Sequence, residues 1–188
     1  HRGPTHSLLV LALAAPALAW AGRRWLLPRS DYGSWLLLSL AVLLTHPLLD
    51  LFTSYGTQLF WPLTDKRFAL DAVSIIDPVI TLPMLLVVTR GLMGRAGPRL
   101  AMAVLCLSMV YIGYGHSQSQ RAEALAAAEL ASEGFEPVEL RALPTPANLV
   151  VWRVVARNAS GEFRIANLST RQADSPRFVT AKRGQHPL

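Results

Sequence analysis

Four apolar runs, the first pair and the last pair each joined by a short arginine-bearing connection, constrain this chain more than any other feature. They cover residues 7–22, 34–52, 78–92 and 99–115. A helix that spans a bilayer needs about 20 such residues, with roughly 17 as the short limit. The first and third runs are marginal by that measure, and snorkelling side chains at Arg23 and Arg90 would extend them. Trp20, Trp25, Trp35 and Trp61 fall near run ends, where interfacial aromatics belong. Composition agrees: 52% of the 188 residues are hydrophobic and only 16% are charged, a balance suited to a membrane protein with a modest soluble part.

The net charge of +6 does not imply a nucleic-acid partner. Its arginines cluster between apolar runs, as Arg23, Arg24 and Arg29, then Arg90, Arg95 and Arg99. Such clusters mark cytoplasmic loops. With both loops cytoplasmic, the N-terminal histidines, the segment around His46–Asp50 through Asp77, and everything after Gly115 are expected on the outer side. The sole cysteine, Cys106, lies in an apolar run and offers neither a disulfide within the chain nor a thiolate metal site.

From about His116 the character changes. "QRAEALAAAELASEG" reads as an amphipathic or exposed helix stopped at Gly134. "NLVVWRVVAR" alternates and is β-branched, "NASG" is a turn, and "EFRIANL" can pair back as a hairpin. The expected fold is mainly α: a polytopic transmembrane helical bundle of about four spans over 1–117, followed by a small α+β extramembrane domain over 118–188.

Polar residues then stand out where lipid penalises them. His46 and Asp50 are spaced i, i+4, so a helix puts both on one face. Imidazole and carboxylate together suit zinc or manganese. "HRGPTHS" contributes His1 and His6 around a Gly-Pro turn, with Thr5 or Ser7 as the helix cap that would set His6 in the first turn. "LDAVSIIDP" carries Asp71 and Asp77, the latter a good N-cap ahead of Pro78. "TSYGT" supplies Thr53, Ser54 and Tyr55 as candidate substrate contacts, and Arg2 a candidate phosphate clamp. His116 is a further candidate ligand at the outer end of the last apolar run. Imidazoles and carboxylates gathered at one membrane face are costly unless something binds them, and a divalent cation does so economically.

The motifs "HRGPTHS", "THPLLDLFTSYGT", "FALDAVSIIDP" and "PTPANLVVWRVVA" resemble the YdjM-like family of bacterial membrane-bound metal-dependent hydrolases. The resemblance implies an inner-membrane protein with a metal site formed by His1, His6, His46 and Asp50, and with Asp71 and Asp77 in the matching aspartate motif. It also implies a further apolar segment upstream of His1, so that the sequence is expected to be a piece of a longer protein. A more distant likeness to zinc-dependent phospholipases C and nucleases favours phosphoester chemistry.

The resulting expectation is a hydrolase that cleaves a phosphoester of a lipid or lipid-linked substrate, with Asp71 or Asp77 as a further ligand or as the general base. Two rivals stand beside it: an ion-binding or transport-related membrane protein, and a non-catalytic envelope or stress protein whose metal only staples helices. A transport path predicts polar residues through the helix depth. The runs "LLVLALAAPALA" and "LLLSLAVLL" are almost purely apolar instead.

Overall fold

A computed structural model describes residues 3–26, 28–95, 97–171 and 178–181. The chain divides into two compact units, His1–Leu70 and Asp71–Leu188.

The first unit is a helical hairpin closed by a tied-down loop. A 3₁₀ turn over Pro4–His6 leads into α1, Leu8–Trp25, whose N-cap is Ser7. Helix α2, Tyr32–Asp50, starts at Asp31, whose carboxylate accepts from the Ser34 amide at 2.9 Å. Ala15 and Ala19 on α1 are fully buried, and Gly22 lets Trp35 lie against the backbone: a Cβ there would stand 2.5 Å from the indole. Small residues at such crossings let helices approach closely where no hydrophobic force drives them together in lipid.

The loop after α2 is stitched back onto both helices. Leu8 N–H donates to Leu59 O at 3.0 Å, the Ser7 hydroxyl to Trp61 O at 2.5 Å, and Leu70 N–H to Leu51 O at 2.8 Å. A β-bridge between Thr57 and Phe68 closes the loop on itself. These bonds hold the start of α1 beside the end of α2, which matters for the site.

In the second unit, α3, Pro78–Leu92, packs on α4, Pro98–Ser132. Residues 120–132, which the sequence presents as a helix of the extramembrane part, continue α4 without a break. Its 35 residues reach about 52 Å, well beyond the roughly 30 Å of bilayer hydrocarbon. The helix stops where expected. Gly134 adopts φ +70°, and Phe135 N–H returns to Leu130 O at 2.8 Å, a left-handed termination. The expected boundary at 117/118 lies inside this helix.

The distal part of α4 supports a four-stranded antiparallel sheet in the order β1-β2-β3-β4, with β1 Pro137–Thr145, β2 Asn148–Asn158, β3 Phe163–Ser169 and β4 Val179–Ala181. The β2–β3 hairpin is the one expected, turning where Asn158 Oδ1 accepts from Glu162 N–H at 2.9 Å. Strand β1 was not anticipated: "PVELRALPT" lacks clean alternation, and its extended form comes from its register with β2. Ala122 and Ala126 of α4 meet Ala142, Trp152, Val154 and Leu168 in the core.

Two of the four helices among the described residues, α2 and α4, are long and apolar enough to cross a membrane. Helix α3 is apolar but has only 15 residues. The bundle of about four spans is therefore met, by length and hydropathy, in two helices.

Candidate metal centre

His6, His46 and Asp50 converge. One donor atom from each lies within 4.8 Å of the others. His6 Nε2 is 3.5 Å and His46 Nε2 3.9 Å from Asp50 Oδ2, and the two imidazole centroids are 5.3 Å apart. Ligands at 2.0–2.2 Å from a tetrahedral ion are separated by about 3.4 Å, so the set fits a divalent cation with small adjustment. His46 and Asp50 meet because i and i+4 share a helix face, and Pro47 between them does not end α2. His6 joins because the loop bonds bring the N-terminal turn to that end of α2.

The three differ in exposure. The Asp50 and His6 side chains are 16% and 19% exposed, whereas that of His46 is 68% exposed. His6 lies in the 3₁₀ turn before α1, not in the helix's first turn, because Ser7 is the cap. Its Nδ1 is 3.1 Å from the Thr5 hydroxyl. With Nδ1–H donating to Thr5, the lone pair of Nε2 faces Asp50, the tautomer a metal ligand requires. In the sequence Thr5 stands out only as a candidate helix cap.

The loop "TSYGT" follows directly. The Thr53 hydroxyl donates to Asp50 O at 2.8 Å and steadies the residue that bears the carboxylate. Tyr55 is 66% exposed, and Gly56 takes φ +73° at a turn. Leu49, Phe60 and Leu63 are exposed in the same unit, giving it an apolar surface. His1 and Arg2 lie outside the described residues.

Asp71 and Asp77 belong to the second unit, and each has partners there. Asp71 is only 5% exposed and adopts a left-handed φ of +48°, a conformation Asp tolerates better than most residues. Arg141 grips it bidentately, Nε to Oδ2 at 2.9 Å and Nη2 to Oδ1 at 2.7 Å. That hydrogen-bonded carboxylate raises the Arg141 pKa further above its already high ordinary value. Asp77 caps α3, accepting from Val79 N–H at 3.0 Å, and its other oxygen accepts from the Tyr111 hydroxyl at 2.9 Å. The contacts give both aspartates structural roles. Arg141 had no local sequence signal, since its partner is seventy residues away.

Near this pair, Glu123 accepts from Ala142 N–H at 3.1 Å, and burial pushes its carboxyl pKa up. His116 lies one helical turn before Gln120, their Nε2 atoms 3.2 Å apart.

Comparison with known proteins adds a family. Residues 1–122 match the family model described as "YdjM inner membrane protein". The chain is also 32% identical over 118 residues to the "Uncharacterized protein YfhP" of Bacillus subtilis (strain 168). That match covers 61% of this chain but 34% of the relative, so the chain spans about a third of that protein's length. No solved structure matches. The matched stretch holds the whole helical hairpin, the converged triad and both aspartates, and the chain belongs to the YdjM inner membrane protein family.

Proposed function

We propose that the protein is a membrane-embedded, metal-dependent hydrolase that cleaves a phosphoester of a lipid or lipid-linked substrate. The observation that carries the reading is the convergence of His6, His46 and Asp50. Zinc is the preferred ion and manganese the second choice, given two imidazoles and one carboxylate. A divalent cation held there supplies Lewis acidity toward a phosphoryl oxygen and lowers the pKa of a coordinated water.

The chain's own residues do the rest. Thr5 orients His6, and Thr53 steadies Asp50. The exposed face of His46 leaves the approach open on one side. Among the described residues three protein ligands gather, and a three-ligand set of this kind leaves a position for water or substrate, as catalytic sites do. Ser54 and Tyr55, next in the chain, are the nearest candidates to meet substrate oxygens. Exposed Leu49, Phe60 and Leu63 favour a substrate presented from lipid. The arginine loops orient the protein, with Arg23, Arg24, Arg29 and Arg90, Arg95, Arg99 cytoplasmic and the triad toward the periplasm.

A structural staple is the second reading, favoured by the ligands' positions: an ion there would tie the N-terminal turn to the end of α2. One experiment separates the two. Purified protein and a His46→Ala, Asp50→Ala variant are compared for bound metal by elemental analysis and for hydrolysis of phospholipid and of an activated phosphodiester. Metal and hydrolysis lost together, with the fold kept, supports the enzyme. Metal bound without hydrolysis of either substrate supports the staple, and no metal in either protein ends both.

A further inference from the structure

The α1–α2 hairpin carries a second feature at its opposite, arginine-bearing end. An open groove of about 390 Å³ runs between the helices, walled by Leu18, Ala21 and Trp25 of α1 and by Trp35, Leu38 and Val42 of α2. Ser39 supplies its one hydroxyl, and the Trp35 indole N–H already donates to Ser30 Oγ at 2.5 Å. Such a lining suits hydrocarbon and little else.

Charge gathers at the groove's end. Arg23 and Arg24 occupy the last turn of α1 and Arg29 the loop that follows, all three exposed. Among the described residues none of the three forms an ion pair, and the neighbouring acid, Asp31, is engaged in capping α2. Trp25, 70% exposed beside the groove, is the kind of side chain that settles at headgroup level, with acyl chains beneath. The complement of hydrocarbon walls ending in three positive charges is an amphiphile with an anionic head.

We propose that this groove binds an acyl chain of an anionic phospholipid, whose phosphate is held by Arg23 and Arg24. A zwitterionic lipid fits the walls but leaves the arginine charge unmatched. Helix α1 or α3 of a second copy would fill the walls and still bring no anion, since neither holds an acidic residue. Basic pockets between membrane helices hold anionic headgroups for this reason. The inference is independent of the metal centre.

Its test is native mass spectrometry of the full chain in detergent, titrated with phosphatidylglycerol or phosphatidylcholine of identical acyl chains. Phosphatidylglycerol should be retained preferentially, with roughly a fivefold loss for each arginine removed in Arg23→Gln and Arg24→Gln. Ala21→Phe, and separately Val42→Phe from the other wall, should lower retention of both lipids while leaving the arginines in place. Equal retention of the two lipids, or a preference that survives Arg23→Gln with Arg24→Gln, overturns the proposal. So does retention unchanged in both groove-filling variants, or a lipid-free dimer in which those variants abolish association.

Discussion

His6 Nε2 lies 3.5 Å from Asp50 Oδ2, although one sits in a turn before the first helix and the other ends the second. Carboxylates and imidazoles in an apolar setting are costly, and on the proposed function a divalent cation held between these two offsets that cost. Its consequence can be measured as stability. A bound ion adds about 2.7 kcal/mol at a hundredfold excess over its dissociation constant. Zinc should therefore raise the melting temperature of the wild type and a chelator should lower it. Asp50→Ala should respond to neither.

Thr5 gives a subtler test of the same centre. Its hydroxyl meets His6 Nδ1 at 3.1 Å, so Thr5→Val removes the group that orients the ligand without removing the ligand. Loss of such a partner typically weakens metal affinity about 10- to 100-fold. Thr5→Ser should keep wild-type affinity. A competition titration with a metallochromic chelator reads the difference.

The buried pair of Asp71 and Arg141 predicts a stability loss. Arg141→Ala strands a carboxylate that is 5% exposed. A fully buried pair broken this way costs about 3–5 kcal/mol, and partial solvation of the Arg141 side chain places this one nearer 2–3 kcal/mol. Arg141→Lys should recover little, because a single ammonium cannot reproduce the two-pronged contact. Thermal denaturation of the purified variants checks both expectations.

Glu123 sets a pH dependence. Burial raises its carboxyl pKa in the folded chain above the ordinary value of about 4.5. The native state then holds its proton more tightly than the unfolded chain. This contribution to stability is present in full below about pH 4.5 and is lost as pH rises through the raised value. Glu123→Gln keeps an acceptor for Ala142 N–H and removes the charge. Its melting temperature should vary less with pH from 4.5 upward, and at pH 7 should equal or exceed that of the wild type.

Two glycines of α4 should behave oppositely. A Cβ at Gly115 would collide with the Ala72 carbonyl oxygen and press on Leu149, whereas one at Gly113 would meet nothing within 4 Å. Gly115→Ala should destabilise by about 1–3 kcal/mol, the usual cost of overpacking. Gly113→Ala should be neutral or gain up to about 1 kcal/mol from helix propensity. Melting temperatures of the pair decide it.

The sequence by itself determined what depends on local spacing. Apolar length marked α2, α3 and α4, proline after Asp77 marked the start of α3, and the i, i+4 rule placed His46 with Asp50. The β2–β3 hairpin was legible because alternation and turn residues act over a few positions. Strand β1, the unbroken run of α4 into the sheet and the Arg141 grip on Asp71 were not, since each is decided by partners distant in sequence. The triad shows the division most clearly. Its residue types were readable one by one, but what brings His6 to Asp50 is backbone hydrogen bonding from the loop after α2, including Leu8 to Leu59. Backbone amides and carbonyls are the same in every residue but proline, so no side-chain pattern announces which of them will pair. Only the folded chain decides that.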